Sequence, residues 1–416
     1  MSSLSDRLKS LGVVVGTQQL PAPKTPLSEQ YPIEQVLAGE FWQTSAGDVF
    51  VVETNYKADF LRDTVKLKPT APLETIAAYA RARQIADFDI EKFAFIDTET
   101  TGLGLGTGVY TFMVGIGRFE GPHFRLVQFF LREPGEETAQ LAAIEEFLRP
   151  CEAWVSFNGK AFDIPLLNNR YIINGWPVPL KDAPHIDLLH LARRLWKGRL
   201  PNRSLGELEA QILGTTRTQQ DVPGWMIADL YFDYLRTRDA RPLLGVFYHN
   251  EIDVVSMAAL LARMADMLAN PLNGTVEHSL DLIAIAKLYA DLGHMETATR
   301  IYQRGLERAD LEQAVYWQAL QELSFLHKKQ EDFTSACQLW EQAAQAGQIY
   351  AHVELAKVCE HRHKDFAAAH QWTQAAIEIV SAPDYSPYER IQILSELEHR
   401  LERIKNKQEK GYNQTS

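Results

Sequence analysis

The chain has 416 residues, of which 46% are hydrophobic, and a formal net charge of −12. This length suffices for two or three domains of about 150 residues each. No run of about 18 apolar residues occurs and the polar N-terminus lacks the pattern of a secretory signal, so we expect no transmembrane helix. The negative charge repels a phosphate backbone at long range, which argues against a protein that coats nucleic acid without specificity.

The cysteines indicate a reducing environment. Only Cys151, Cys337 and Cys359 occur, and none of them belongs to a CxxC pair. A zinc site and a disulfide framework are therefore not expected. We predict a cytoplasmic protein that does not associate with a membrane.

Composition and periodicity divide the chain into four parts. Residues 1–35 are rich in Ser, Pro, Gln and Lys and are predicted to form a disordered tail. Residues 36–90 combine a β-rich run with a stretch of helical spacing at 73–86, which predicts a small β/α segment. Residues 91–270 alternate strands with helices, and residues 275–410 are helical throughout.

Residues 91–270 have the pattern of an α/β domain. Strands are predicted at 93–96, 110–119, 123–130 and 153–156, and a helix at 136–148. Three strands in succession, followed by a helix, a strand and further helices, predict a mixed sheet flanked by helices.

The C-terminal part contains an internal repeat. Ala298, Ala336 and Ala369 are 38 and then 33 residues apart, and a large apolar residue follows each of them three positions later. This spacing is close to the period of about 34 residues that is typical of tetratricopeptide helix pairs. We therefore expect an all-α domain of tetratricopeptide-like repeats that binds a protein partner. An ordinary helical bundle is the alternative.

The first group of candidate site residues ends a buried strand. Alternation along that strand places Asp97 and Glu99 on one face and Thr98 on the other. Two carboxylates on one face are costly to bury unless a cation neutralises them, and oxygen ligands suit Mg²⁺ or Mn²⁺. Gly102 and Gly104 would let a nucleotide approach the backbone. A solvated strand end is the alternative interpretation.

The second group follows the strand predicted at 153–156. Asn158 and Gly159 mark a turn, and a helix is expected to begin near Asp163, with Pro165 in its first turn. Asp163 is a candidate metal ligand. The alternative is that it caps the helix N-terminus, a position that Asp favours.

The third group lies on a predicted helix. His249 and Asp253 are four residues apart, so both project from one face of that helix. The imidazole could take a proton from a water molecule near the carboxylates. A surface contact between the two side chains is the alternative.

Together, the three groups resemble the motifs of the DEDD 3′–5′ exonuclease superfamily, over residues 93–267. The resemblance implies a ribonuclease H-like fold that hydrolyses phosphodiester bonds at the ends of single-stranded DNA or RNA. It also implies a two-metal mechanism, with two Mg²⁺ or Mn²⁺ ions about 3.5–4 Å apart. The implied metal ligands are Asp97, Glu99, Asp163 and Asp253, with Asp97 bridging both ions and His249 as the general base.

The third motif departs from both branches of that superfamily. The general base usually lies five positions before the last Asp when it is His, and four before it when it is Tyr. Here His249 lies four positions before Asp253, and Tyr248 lies five before it. We favour His249 because imidazole is the side chain whose proton exchange lies nearest to neutral pH. Glu251 is a lesser candidate.

A narrower resemblance is to the bacterial YprB-type ribonuclease H-like proteins, a family of predicted exonucleases. The segments that carry it are 49–53 (VFVVE), 186–194 (IDLLHLARR), 204–209 (SLGELE), 221–224 (DVPG) and 249–253 (HNEID). This resemblance supports the candidate site more strongly than it supports any particular substrate.

Four further side chains or turns are predicted to contact the substrate, namely Thr98, Thr100, Asn158 and Lys160. The densest basic cluster is either a nucleic-acid track or a solvated helix face, and it consists of Arg193, Arg194, Lys197, Arg199 and Arg203. Trp196 and Trp225 could stack on bases, but we prefer a core position for both.

Two rival functions are open. In the first, the helical repeats recruit a protein partner and the nuclease-like domain only holds nucleic acid. The complete set of acids argues against this, because a purely binding domain has no need of clustered carboxylates. In the second, the same metal site performs structure-selective endonuclease cleavage, which an end-blocked substrate would distinguish.

Overall fold

The structure, a computed structural model, describes residues 31–62, 65–102, 104, 106–383 and 385–415. Most of the predicted tail, residues 1–30, lies outside these ranges. Packing begins inside the predicted tail, because Tyr31 forms a bridge with Asp239 and the Ile33 side chain is fully buried. The short helix that contains Ile33 contacts an aromatic cluster under the sheet.

Seven strands form one mixed sheet, in the order β1-β2-β7-β6-β5-β8-β9. The strands are β1 Glu40–Thr44, β2 Gly47–Lys57, β3 Leu61–Arg62, β4 Val65–Lys66, β5 Phe93–Thr100, β6 Thr111–Glu120, β7 His123–Phe130, β8 Ala153–Ser156 and β9 His185–Asp187. Strands β1, β2, β7, β6 and β5 pair antiparallel in that order, β8 pairs parallel to β5, and β9 pairs parallel to β8. The predicted mixed sheet is confirmed, and β3 and β4 form a separate small hairpin.

The N-terminal β/α segment contributes directly to this sheet. Strand β2 pairs with β7 over eight residues and carries β1 on its outer edge. Its residues Val49, Phe50 and Val51 are fully buried. The segment predicted at 36–90 is therefore continuous with the sheet of the following domain.

Helices cover both faces of the sheet. They are α1 Ile33–Val36, α2 Glu74–Tyr79, α3 Glu137–Leu148, α4 Asp163–Ile173, α5 Leu188–Trp196, α6 Leu205–Leu208, α7 Ile227–Thr237 and α8 Leu244–Ala269, with 3-10 turns at Arg83–Asp87, Ile90–Lys92, Pro134–Glu136, Gly224–Met226 and Arg241–Leu243 and a π turn at Glu209–Leu213. Side chains alternate along β5. Ala94 and Ile96 therefore pack with α3 and α4, whereas Phe93 and Phe95 pack with α8.

The helix predicted at 73–86 is shorter than expected. Helix α2 ends at Tyr79, and Arg81 has a φ of +57°, in the left-handed region. The amide of Ala82 donates to the carbonyl of Ala77 at 3.0 Å, which closes the helix end. Helical periodicity in the sequence continues past this point, so it does not reveal the interruption.

The second half of the described chain is helical. Its helices are α9 Ser279–Asp291, α10 Met295–Leu306, α11 Gln313–Lys329, α12 Phe333–Gln345, α13 Ile349–Val358, α14 Phe366–Ser381 and α15 Pro387–Thr415, with a π turn at Cys359–His363. Each of these helices contacts the next one in the chain. No helix in the described ranges is long and apolar enough to cross a membrane.

The helical half is joined to the α/β half through α5. Arg194 forms an ion pair with Asp291, and Arg199 donates to Asp281 at 2.9 Å, both partners being on α9. Trp196 is fully buried in the same contact region. Arg194 and Arg199 of the predicted basic cluster thus form structural ion pairs. Trp196 has the core position that we preferred.

A buried histidine at the sheet edge predicts acid sensitivity. Nε2 of His185 lies 2.7 Å from the Ser156 hydroxyl, and burial lowers the pKa of His185 from 6.5 to about 4. The unfolded chain therefore takes up a proton that the folded chain excludes. We expect the free energy of unfolding to fall as pH decreases from 6.5 to 4, by up to about 3 kcal/mol from this residue.

Urea unfolding of the wild type and of His185→Gln over this pH range measures the effect. The variant lacks the titrating group, so its stability should depend less on pH between 6.5 and 4. Parallel curves for the two proteins would contradict the prediction.

Candidate active site

The candidate residues meet at one edge of the sheet. Strand β5 ends with Asp97 and Glu99, the loop after β8 leads to Asp163, and α8 crosses the same edge with Asp253. Strands β5 and β8 are parallel, so their carboxyl ends lie side by side. The pairing of β5 with β6 shifts register between Glu99 and Thr100, and this bulge ends the regular strand immediately after Glu99.

Asp97 is held by a chain of buried amides. Nδ2 of Asn250 donates to Oδ2 of Asp97 at 2.8 Å, and Oδ1 of Asn250 accepts from Nε2 of Gln128 at 3.0 Å. Gln128 fixes which end of the Asn250 amide points at the carboxylate. Gly115 lies opposite Asp97 on β6, and a Cβ there would collide with Oδ1 of Asn250. Glycine at this position therefore lets α8 approach the strand.

Asp163 contacts the opposite face of β5. Its Oδ1 accepts from the amide of Thr98 at 3.1 Å and from the Thr98 hydroxyl at 2.5 Å. Thr98 thus faces away from Asp97, as the alternation predicted. Helix α4 begins at Asp163 itself and has no side-chain cap, so the capping interpretation is wrong. A Cβ at Gly159 would lie 2.9 Å from Oδ2 of Asp163, so the preceding turn is tight.

Asp253 is held by an arginine that the sequence interpretation missed. The Arg217 guanidinium forms an ion pair with Asp253. Its Nε and Nη2 each donate to the buried Glu209 carboxylate at 2.8 Å. Nη1 of Arg217 also lies 3.5 Å from Oδ2 of Asp221. Arg217 therefore connects three carboxylates.

The predicted general base is part of the same network. Nδ1 of His249 lies 2.7 Å from Oδ1 of Asp221, and Nε2 of His249 lies 3.7 Å from Oδ2 of Asp253. A carboxylate can only accept, so the Asp221 contact favours the tautomer with the proton on Nδ1 and a lone pair on Nε2; Nη1 of Arg217, a donor that would favour the other tautomer, lies further from Nδ1, at 3.3 Å. Asp221 thereby orients the ring.

The two lesser candidates for the general base lie in other contacts. The Tyr248 hydroxyl accepts from the amide of Thr218 at 3.0 Å, on the outer side of the loop before α7. Oε1 of Glu251 accepts from the hydroxyl of Tyr56, a residue of strand β2, at 2.5 Å. His249 is therefore better placed than either of them.

The carboxylates are close enough to raise one another's proton affinity. Burial, followed by the charges of Asp253, Glu99 and Asp163, raises the pKa of Asp97 well above its usual range. Burial and the charges of Asp253 and Asp163 raise the pKa of Glu99 to about 8. Burial also raises the pKa of Asp163 to about 6, although the hydrogen bonds from Thr98 lower it. Burial raises the pKa of Asp253 as well, although the charge of Arg217 lowers it.

The donor chemistry of this cluster suits a hard divalent cation. All four acids supply only oxygen, and a cation would offset the burial and the neighbouring negative charges that raise their pKa values. As they stand, no three or more His, Cys, Asp or Glu side chains of the described residues are gathered closely enough to hold one ion. Asn250, Thr98 and Arg217 instead bind three of the carboxylates individually.

A cleft of about 660 Å³ opens onto the carboxylates of Glu99 and Asp163. Much of its wall is apolar, and two exposed aromatic side chains belong to it, Phe162 at 52% exposure and Trp225 at 78%. The core position that we preferred for Trp225 is wrong, because the residue lies on the 3-10 turn Gly224–Met226 at the rim of the cleft. Thr100 also lines the cleft, and its hydroxyl donates to the carbonyl of Gly102.

The turn at Asn158 is fastened by a buried carboxylate. Asp187 caps α5 and accepts from the amides of Leu189 at 3.1 Å, Asn158 at 2.8 Å and Lys160 at 3.2 Å. Asn158 has a φ of +70°. The backbone of this turn is therefore directed at Asp187, while the Lys160 side chain is exposed.

Sequence reasoning assigned no role to the residues that hold the acids, which are Gln128, Glu209, Arg217, Asp221 and Asn250, although Glu209, Asp221 and Asn250 lie in segments that carry the YprB resemblance. Asn250 carried a weak signal, because it lies three residues before Asp253 on the same helix. Arg217 carried none, since the loop around it has no periodicity and its partner Glu209 lies eight residues earlier.

Comparison with known proteins agrees with this fold. The sequence profile of the RNase_H superfamily matches residues 94–265, which begin in β5 and end in α8. A protein of Bacillus subtilis (strain 168) named "Uncharacterized protein YprB" is 34% identical over 322 residues, which cover 75% of this chain and 74% of that protein. The chain therefore belongs to the YprB family, and its α/β half is a domain of the RNase H superfamily.

Proposed function

We propose that the protein is a metal-dependent 3′–5′ exonuclease of the DEDD type that hydrolyses single-stranded DNA or RNA from its end. The observation that carries the proposal is the placement of Glu99 and Asp163 in the wall of a cleft, with the buried carboxylates of Asp97 and Asp253 close beside them. Membership of the RNase H superfamily supports nucleic-acid hydrolysis as the general activity. A cluster of acids of this kind has no use in a domain that only binds a polyanion, because it would repel the ligand.

The four acids would hold two divalent cations, Mg²⁺ or Mn²⁺. Bound cations would supply charge neutralisation for the phosphate and would favour a nucleophilic water. For this, Asp253 must exchange its ion pair with Arg217, which the Glu209 carboxylate would keep nearby. His249, with its proton on Nδ1 toward Asp221, offers Nε2 to take a proton from water.

The cleft supports a single-stranded end as the substrate. Phe162 and Trp225 present exposed rings in the cleft that contains Glu99 and Asp163, and stacking requires an unpaired base. Thr98 and Asn158 act in this proposal by holding Asp163 and the turn after β8, and Thr100 lines the cleft. The sugar preference depends on contacts with the 2′-OH.

We also propose that helices α9 to α14 are tetratricopeptide-like repeats that bind a protein partner. Ala298, Ala336 and Ala369 are each the fourth residue of their helix, and all three are fully buried. This equivalence supports a repeated helix pair, in which the small residue permits close approach. The surface of the repeats that binds this partner would be separate from the nuclease site.

Substitution of Asp97 tests the proposed activity. Asp97→Asn removes a charge that would neutralise the cations, so we expect hydrolysis of labelled single-stranded DNA and RNA with Mn²⁺ or Mg²⁺ to fall by more than about 100-fold. EDTA should abolish the activity of the wild type. Asp229→Asn changes an exposed acid on α7 in the same way and should leave the rate unchanged. Wild-type activity in Asp97→Asn, or in EDTA, would exclude the proposed mechanism.

The pattern of products separates the exonuclease from its alternatives. A 5′-labelled linear strand should shorten stepwise from its 3′ end, and a circular single strand should stay intact. Cleavage of the circle would indicate an endonuclease. Binding of every substrate without hydrolysis, equally by the wild type and Asp97→Asn, would indicate a scaffold.

Substitution of Trp225 tests the stacking surface. Trp225→Ala removes the exposed ring, and the loss of stacking should raise KM for a single-stranded substrate by at least about fivefold with little change in kcat. Phe232→Ala removes another exposed aromatic ring, on α7 outside the cleft, and should leave KM unchanged. An equal effect of the two substitutions would argue against base stacking at Trp225.

A further inference from the structure

A second cleft adjoins the carboxylate cleft. It has a volume of about 230 Å³ and lies between α2, α5 and the loop after β8. Lys160 lines this second cleft, whereas the next two residues, Ala161 and Phe162, line the carboxylate cleft. Consecutive Cα atoms are about 3.8 Å apart, so a single short loop separates the two clefts. A polymer that passes over this loop would reach from one cleft to the other.

The exposed charge of the second cleft is positive. Arg81, Lys160 and His190 line it, and the side chains of all three are exposed. In the described part of the chain, the Arg81 and Lys160 side chains have no carboxylate partner. This is notable in a protein of net charge −12, in which Arg194 and Arg199 are paired with aspartates.

Asp187, the acid in this cleft, already has hydrogen-bond partners for its carboxylate. Asp187 has a side chain only 1% exposed, and its oxygens accept from the three backbone amides described above. Nε2 of His190 lies 3.9 Å from Oδ2 of Asp187, which is beyond hydrogen-bond distance. The Asp187 charge therefore fastens the loop and leaves Lys160 available to an external anion.

Arg81 closes the end of α2 through its left-handed backbone, and this role does not call for an arginine side chain. It follows the end of α2 with a φ of +57°, at a position where glycine is the usual residue. An arginine there carries a conformational cost that glycine would not have. The Tyr79 hydroxyl, two residues earlier, donates to the carbonyl of His190 at 3.2 Å and holds α2 against α5. Arg81 is thereby fixed at the mouth of the cleft.

We propose that Arg81, Lys160 and His190 form a phosphate-binding subsite for the polynucleotide strand whose end occupies the carboxylate cleft. This inference rests on the proposed function and extends it to the path of the substrate. The subsite contacts backbone phosphates, so it acts on strands of any sequence. It replaces the cluster around Arg194 and Arg199 as the nucleic-acid track, because the partners of those two arginines lie on α9.

The test measures binding without turnover. In an Asp97→Asn background with EDTA, Arg81→Gly and Lys160→Ala are combined, and glycine is chosen because it tolerates the φ of Arg81. Fluorescence anisotropy with a labelled long single-stranded oligonucleotide is recorded over a range of salt concentrations. Affinity should fall about tenfold, and the slope of log K against log salt should decrease in magnitude by about 1.4, because each phosphate contact contributes about 0.7. Binding of a mononucleotide, which is too short to span both clefts, should be unaffected.

Three controls make the outcome specific. Arg83→Ala with Lys181→Ala removes the same charge from exposed residues outside the cleft and should keep the original slope. Arg81→Lys with Lys160→Arg preserves the charge and should restore binding. If the Arg81→Gly and Lys160→Ala double variant unfolds, Lys160→Ala alone provides the test, because this side chain is exposed. It should reduce the magnitude of the slope of log K against log salt by about 0.7.

Several outcomes would overturn the subsite. An unchanged slope in the Arg81 and Lys160 variants, or an equal loss in the control pair, would exclude it. Loss of inorganic phosphate binding with unchanged oligonucleotide binding would indicate a site for free anions rather than a strand path. Because no hydrolysis is measured, failure of the nuclease proposal would leave this result standing, and failure of the subsite would leave hydrolysis at Asp97 standing.

Discussion

The burial of four neighbouring carboxylates at one sheet edge is the constraint on which the rest of the site depends. Each acid is largely removed from water, so its charge is costly, and the neighbouring acids increase that cost. The chain offsets it with one specific donor at each of three positions, namely Asn250, Thr98 and Arg217. None of these donors binds the Glu99 carboxylate directly, and the Arg217 charge only partly offsets the burial and the neighbouring acids that raise the pKa of Glu99. The cluster is therefore a place where a divalent cation would be stabilised.

The fold supplies the rigidity that such a cluster requires. Strand β5 lies inside the sheet, between β6 and β8, so its end cannot move away from the neighbouring acids. Gly115 lets α8 approach closely enough for Asn250 to reach Asp97. On the other side, Asp187 fastens the turn that leads to Asp163. The two clefts meet at this turn, so one short segment joins the acids to a basic surface.

The sheet and the shared face of Asp97 and Glu99 were predictable from the sequence because they follow local rules, whereas Asp163 and Asp253 became candidates through the resemblance of the three motifs to a known superfamily. Buried strands have continuous apolar runs, and alternation alone placed Asp97 and Glu99 on one face, opposite Thr98. The residues that hold the acids depend on distant contacts, such as Arg217 with Asp253, which no periodicity reveals. The basic cluster looked available to nucleic acid because the partners of Arg194 and Arg199 lie 97 and 82 residues further along the chain. Trp225 looked like a core residue because sequence alone does not show that its turn forms the rim of a cleft.

Thermal unfolding with and without Mn²⁺, in the wild type and in Asp97→Asn, most directly tests whether repulsion among these acids forms a cation site. In EDTA the variant should be more stable than the wild type, because one repelling charge is absent. Mn²⁺ at about 100 times its dissociation constant should stabilise the wild type by about 2.7 kcal/mol, and the variant much less. Equal stability of the two proteins in EDTA, together with equal stabilisation by Mn²⁺, would show that the four carboxylates do not act as a cation-binding cluster.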